Sequence, residues 1–217
     1  MNPEAKVPAI RDVAAVPEVA AYPQAAAVVE SGPAHSVDRI LAAAYELFST
    51  RGVRDVGVNE LIERSGVAKA TFYRHFPSKD SLVFAFLELR DKQWTMDGIL
   101  SEARRRGSTP QEQLLAIFDV FGDWFRREDF EACSFVRVML EMGPAHPLGR
   151  ASIDYLAKIR GHVQDVAEEA GLVRPEEFAR SLLILMKGSV IQAVEGDSLA
   201  AERARQMAGW LIGHHSS

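Results

Sequence analysis

Residues 65–82 read SGVAKATFYRHFPSKDSL, and the fold of the chain turns on them. Between Thr71 and Lys79 a hydroxyl, a phenol, a guanidinium, an imidazole and an ammonium occupy about two helical turns, with Phe72 and Phe76 four residues apart. Helical spacing assigns the two phenylalanines to one face and the polar set to the other. Pro77 ends the helix and Ser78 is placed to cap the next. On the amino-terminal side, Ser65-Gly66-Val67 is a tight turn. Lys69, Thr71, Tyr73, Arg74 and His75 fall on the outer face, each with a donor for a phosphate or a base edge. Lys79 flanks that face. A short basic-aromatic helix can also be ordinary surface, with Tyr73 and His75 as packing residues, and spacing alone leaves that reading open.

Working outward, the helical period extends over nearly the whole chain. Val37, Ile40, Leu41, Ala44, Leu47 and Phe48 follow the i, i+3, i+4, i+7 pattern from a Ser36 cap to a stop at Gly52. A second short helix, about Val58 to Ser65, buries Leu61 and Ile62, with Gly57 as cap and Glu60 at the capping-box position. The third runs over about Lys69 to His75. A long fourth segment, 79–106, ends in three arginines before Gly107, where cations suit the negative helix end. Thr109-Pro110-Gln111-Glu112 is a start signal: Thr cap, Pro at the first helical position, Glu at the third. Further helices are expected over 110–128, 131–142, 148–170, 175–195 and 198–213. No strand alternation and no solenoid period is present, so the fold class is all-α.

Composition bounds the remaining possibilities. The 217 residues are 47% hydrophobic and 25% charged, enough for a substantial core. No run approaches the length of a membrane span, and no secretory signal is visible. Cys133 is the only cysteine, which excludes an intrachain disulfide and fits a cytoplasmic protein. The net charge of −5 argues against unspecific coating of nucleic acid. Its distribution is uneven: residues 36–90 carry eight basic and seven acidic side chains, and Arg64 to Lys79 holds four cations and no acid. Residues 1–35, rich in Ala, Val and Pro with five prolines, read as a disordered arm.

The run Gly52 to Leu82, GVRDVGVNELIERSGVAKATFYRHFPSKDSL, resembles the DNA-binding domain of the TetR family of transcriptional regulators. Gly66, Val67, Thr71, Tyr73, His75, Phe76, Lys79 and Leu82 stand where the family pattern has a Gly-Val turn, a Thr, an aromatic pair ending in Tyr, His-Phe and a Lys opening the fourth helix. The resemblance implies a helix-turn-helix domain over 36–82 and a larger helical domain over 83–217 for ligand binding and dimerisation. By position, it places DNA contacts at Lys69, Thr71, Tyr73, Arg74 and His75, with Lys79 on phosphate and Asn59 near a base. Three departures stand out: Gly57 and Ala68 replace hydroxyl residues, and Ile62 replaces a usual Ala.

The resemblance further implies a homodimer paired through the last two helices and a repressor released from a near-palindromic operator by a small apolar effector. Phe178, Leu182, Leu185, Met186, Ser189 and Ala193 trace one face of the 175–195 helix. Ala200, Ala204, Met207, Ala208 and Leu211, with Trp210 nearby, trace one of the last. Periodicity does not distinguish an interface from an intrachain core here. Trp94, Phe121, Phe125, Met139 and Tyr155 are expected to line the effector pocket, although Phe and Trp at helical spacing are also what a plain core requires. No cofactor or metal is expected, and no G-x-S-x-G, P-loop, G-x-G-x-x-G or H-E-x-x-H motif is present to suggest an enzyme. The missing hydroxyls at 57 and 68 keep a second reading alive: an all-α ligand-binding or interaction protein whose helix-turn-helix no longer reads DNA.

Overall fold

The computed structural model describes residues 33–128 and 130–216, and every regular element among them is a helix. α1 (Pro33–Arg51) begins three residues ahead of the expected Ser36 cap. Pro33 sits in the first turn, where a missing N–H removes no intrahelical bond. The rest of the expected arm, residues 1–32, lies outside the described residues. α2 (Val58–Ser65) and α3 (Lys69–His75) follow at the expected positions. Gly66 makes the turn between them at φ 62°, its N–H shared between the carbonyls of Ile62 and Glu63. That left-handed conformation is strained for any residue with a Cβ, which is why a glycine closes α2.

The caps divide into those the sequence specifies and those it does not. Ser78 caps α4 (Lys79–Arg90) reciprocally with Ser81, and Thr109 does the same with Glu112 at the start of α6 (Pro110–Phe125). The capping box expected at Gly57 does not form: Glu60 instead pairs with Arg51 across the α1–α2 corner. The long fourth segment is also not one uniform helix. α4 widens at Asp91 into ten residues of π-helical turns, Asp91–Leu100, before α5 (Ser101–Arg106) resumes the ordinary pitch. The widening starts beside two buried charges held by other elements. Arg90 pairs with Glu131 at 3.1 Å and contacts the Tyr45 hydroxyl at 3.2 Å, while Asp91 pairs with Lys158. Wide helical turns of this kind tend to mark functional positions.

α7 (Ser134–Met142), α8 (Pro147–Glu169), α9 (Pro175–Val194) and α10 (Ala200–His215) complete the chain. Two apolar cores result. The larger joins Leu114, Ile117, Phe118 and Phe121 of α6 to Val163 of α8, Phe178 and Leu182 of α9, and Ala204 and Ala208 of α10. The second joins Ile40, Phe48, Leu61, Phe72, Phe76 and Phe86 of α1–α4, but it also takes in Phe135 and Val138 of α7 and Leu148 and Leu156 of α8. The core of the first four helices therefore does not stop at residue 82; α7 and α8 supply part of it.

α7 also grips α1 through polar groups. Arg137 donates from Nη1 to the Phe48 carbonyl at 3.3 Å and to the Ser49 carbonyl, at the negative end of α1. One turn on, Glu141 accepts the Val53 N–H at 2.9 Å and the Arg54 N–H just beyond that end. A cation takes the orphan carbonyls and an anion takes the following amides, an arrangement that a helix end and i, i+4 spacing make possible together.

Candidate nucleic-acid interface and effector cavity

The two faces expected of α3 are present. Phe72 is fully buried and Phe76 nearly so, packed against each other at 6.3 Å between ring centres. Burial of two such rings stabilises the α1–α4 unit by about 1.5–3 kcal/mol each. Outward lie Lys69, Tyr73 and Arg74, all exposed, with Thr71 half-buried and Asn59 exposed near the start of α2. Tyr73 keeps 40% of its surface open while its ring edge meets Phe72 at 5.6 Å. Its hydroxyl is thus presented on a braced ring. Lys69 and Arg74 have no salt bridge among the described residues, whereas the neighbouring Arg64 is held by Glu46 at 2.6 Å and Arg51 by Glu60. Of the cations in this window, Lys69 and Arg74 are the ones left open to an anion.

Two of the residues grouped with them are placed differently. Lys79 is turned inward, its ammonium donating to the carbonyls of Val53 at 2.7 Å and Val56 at 2.9 Å. It fastens the α1–α2 loop to the head of α4, and one of its three N–H groups remains for a phosphate. His75 is half-buried with Nε2 shielded from solvent and without a hydrogen-bond partner. That nitrogen is therefore not presented on the open face. At Gly57 nothing lies within 4 Å of where a Cβ would stand, so the missing hydroxyl there reflects the sequence and no lack of room.

The residues expected around an effector are mostly elsewhere. An apolar cavity of about 70 Å³ lies between the π-helical segment and α6–α9, bounded by Ile99, Phe121, Trp124, Phe135, Leu156 and Met186. Of the five candidates, Phe121 lines it. Phe125 packs into an aromatic cluster with Trp124 and Phe130 at 5.6 and 5.1 Å. Met139 and Tyr155 belong to the core beneath α1–α4, Tyr155 stacked on Phe135 at 5.2 Å. Burial, with a smaller push from the carboxylates of Glu88 and Asp91, raises the Tyr155 phenol to about 12. The side chain of Trp94 lies outside the described residues. Apolar spacing identified the aromatic residues but not which wall each one faces.

Arg90 and Thr95, both buried, also border the cavity and were not anticipated. A signal for Arg90 was present: it continues the buried stripe Val83, Phe86, Leu87 at helical spacing, a lone cation in line with an apolar face. No group of three or more metal-binding side chains occurs among the described residues, and no helix among them is long and apolar enough to cross a membrane.

On α9 the stripe read from sequence is inward: Phe178, Leu182, Met186 and Ser189 are buried. The outward apolar residues are Ile184, Ile191 and Val194, joined by Leu199 and by Met207 and Trp210 of α10. Ile184 and Trp210 expose 71% and 68% of their surfaces. Gly188, exposed and with open space around it, lies between Ile184 and Ile191.

The comparisons agree with this architecture. Residues 40–86, covering α2, α3 and most of α1 and α4, match the family model described as bacterial regulatory proteins of the tetR family. The chain is 31% identical over 93 residues to the HTH-type transcriptional activator FasR of Mycolicibacterium smegmatis, and 37% identical over 88 residues to the HTH-type transcriptional regulator EthR of Mycobacterium tuberculosis. These matches take in 42% and 38% of this chain and span about two fifths of each relative, 40% in both cases. Similarity of shape reaches further. SCO4454, a TetR-family transcriptional regulator from Streptomyces coelicolor, superposes with a TM-score of 0.77 at 25% identity over 84% of this chain and 97% of its own. The reduced form of E. coli NemR shares the fold at a TM-score of 0.70, 22% identity, over 80% of this chain and 95% of its own. The helix-turn-helix segment is thus matched in sequence by the tetR family model, and the helices behind it share the fold of TetR-family regulators.

Proposed function

We propose that the chain is a sequence-specific DNA-binding transcriptional regulator, acting as a homodimer that represses by occupying a near-palindromic operator and is released when a small apolar molecule binds behind α4. The observation that carries this reading is the outer face of α3. Lys69, Tyr73 and Arg74 stand open and uncommitted on a helix braced by Phe72 and Phe76, within the segment that matches the family model. The two cations supply phosphate attraction, and Tyr73, Thr71 and Asn59 supply groups for positioning and base recognition.

Support for a dimer comes from the outward apolar residues of α9 and α10, Ile184, Ile191, Val194, Met207 and Trp210, gathered on two successive helices. Gly188 permits close approach of a second α9. Two copies so joined present two α3 helices to successive major grooves about 34–36 Å apart, or at a wider spacing on a longer site. Release follows if the effector favours a state with a different α3 separation. α4 with its π-helical continuation touches the cavity at Thr95 and Ile99, and α7 touches it at Ser134 and Phe135 while gripping α1.

The test is selection of random duplex DNA by the purified protein at two salt concentrations. A palindrome should be enriched. Lys69→Ala and Arg74→Ala each remove one phosphate-facing cation, and each should lower the salt slope by about 1. Weak binding with no enriched sequence would exclude a sequence reader and favour the interaction-protein reading raised by the missing hydroxyls at Gly57 and Ala68.

A further inference from the structure

Beside the 70 Å³ apolar cavity lies a second, more open chamber of about 420 Å³ between the π-helical segment, α5, α6 and α8. The first is too small for a ligand of ordinary size; the second falls within the range of about 300–1,000 Å³ typical of small-molecule sites. Leu100 lines both and is half-buried, so it stands at the boundary between them.

The walls of the outer chamber are chemically one-sided. No carboxylate lines it, while Arg104, Gln113 and His162 do. In the run Arg104-Arg105-Arg106, Glu102 holds Arg105 at 2.6 Å and Arg106 at 2.7 Å, and Asp123 holds Arg106 again at 2.7 Å. Arg104 has no such partner among the described residues. His162 has its Nε2 shielded from solvent and unsatisfied, a state that costs about 1–3 kcal/mol until something bonds it. A guanidinium without a salt bridge and the His162 ring, its Nε2 turned from the open space, therefore border a chamber whose remaining walls, Ser101 and Gln113 apart, are apolar, Met96, Leu114, Ile117 and Val163 among them. Behind Leu100 the inner cavity is more apolar still, and apolar cavities of this kind accept hydrocarbon in preference to water.

We propose that the effector is an amphipathic monocarboxylate, its carboxylate on Arg104 beside the His162 ring and its apolar tail passing Leu100 into the inner cavity. This rests on the effector reading given above and replaces its wholly apolar ligand with one bearing an anionic head. A guanidinium meets a carboxylate through parallel N–H bonds, which a neutral head cannot match. Displacement of Leu100 joins the two chambers, and the tail then reaches Phe121, Phe135 and Met186.

The experiment uses decanoate and 1-decanol, below their aggregation concentrations, titrated calorimetrically into the full chain without DNA. Decanoate should bind at least tenfold more tightly than decanol. Arg104→Gln, at an exposed position outside both cores, should erase that preference while leaving decanol unchanged, and His162→Gln should reduce it. Leu100→Trp, which adds bulk at that boundary, should bring decanoate down to the affinity of hexanoate. Equal binding of acid and alcohol, no binding of decanoate, or an Arg104→Gln protein that keeps the preference would each overturn the proposal. Because no DNA is present, the result is independent of the operator selection: a palindrome without decanoate binding would sink this inference alone.

Discussion

The grip of α7 on α1 makes a quantitative prediction. Replacing Glu141 with alanine removes the acceptor for two backbone N–H groups. They are unequal. Val53 is 1% exposed, so its N–H is left unbonded and away from water, whereas Arg54 is exposed and its N–H turns to solvent. The first loss falls in the range of about 1–3 kcal/mol for an orphaned buried donor, and the second is close to nothing. The substitution should thus destabilise by about 2 kcal/mol. For a cooperative unit of this size, 1 kcal/mol moves the midpoint by about 2–4 °C, which gives a fall of roughly 4–8 °C.

Glu141→Gln keeps one oxygen for Val53 but loses the charge, and charge-assisted hydrogen bonds are about twice as strong as neutral ones. It should recover about half of the loss. The assay is thermal unfolding at fixed protein concentration, followed by far-ultraviolet circular dichroism and by tryptophan fluorescence. Trp94, Trp124 and Trp210 all lie beyond α4, so fluorescence reports the later helices and dichroism reports all of them. In the alanine variant the dichroism should begin to fall before the fluorescence changes, as α1–α3 loosen first. A midpoint within 2 °C of the parent, or equal midpoints for Ala and Gln, would refute the reasoning.

Other consequences can be checked alongside. A Cβ on Gly149 would stand 1.9 Å from the Gly143 carbonyl oxygen, so Gly149→Ala must displace backbone at the head of α8 and should destabilise by about 3 kcal/mol in denaturant unfolding. Ile184→Glu, on the outward face of α9, should convert a dimer to monomer in sedimentation while leaving the helical signal unchanged; a dimer that survives would place the interface elsewhere. Lys79→Ala should lower stability as well as DNA affinity, because it frees the Val53 and Val56 carbonyls; a fall in affinity at unchanged midpoint would show that its bonds to the loop are dispensable. The Tyr155 phenol, raised to about 12, should ionise well above the ordinary value of 10 in ultraviolet titration. A raised folded-state value contributes stability that is full below pH 10 and is lost between about 10 and 12, and Tyr155→Phe should remove that part of the alkaline decline.

Much of the fold was legible because local rules agree with one another. Phe72 and Phe76 at i, i+4, Gly66 in a left-handed turn, and Ser78 and Thr109 as caps each act within a few residues of themselves. What the sequence could not show is which distant group would compete for a side chain. Glu60 sits at the capping-box position and is taken by Arg51. Lys79 is expected from sequence to flank the outer face of α3, and in the fold it is drawn to two loop carbonyls. Met139 and Tyr155 have the spacing of pocket residues, yet their helices turn them toward α1–α4. On α9 periodicity found an apolar face at Phe178, Leu182 and Met186, and that face is core. The second apolar face, Ile184 and Ile191, is visible only once the first is known to be filled.

On the function proposed above, the shared core changes what an effector would have to do. If α1–α4 formed an independent unit, a ligand could act on α3 only by swinging α4 as a lever. Here Phe135 and Val138 of α7 are part of the core that contains Phe72 and Phe76, and Phe135 also borders the inner cavity. A tail entering that cavity therefore presses on a residue of the reading head's own core, and on Ser134 at the start of the helix that holds α1 by Arg137 and Glu141. Close-packed interiors transmit such displacement and do not absorb it. Two routes, the π-helical continuation of α4 and the body of α7, run from one cavity to the same three-helix unit. Phe135→Leu, which shortens the side chain on one route and leaves α4 untouched, should accordingly weaken the effect of ligand on DNA affinity more than it weakens ligand binding itself, as measured by titrating ligand with and without operator. Equal reductions in the two measurements would assign the coupling to α4 alone.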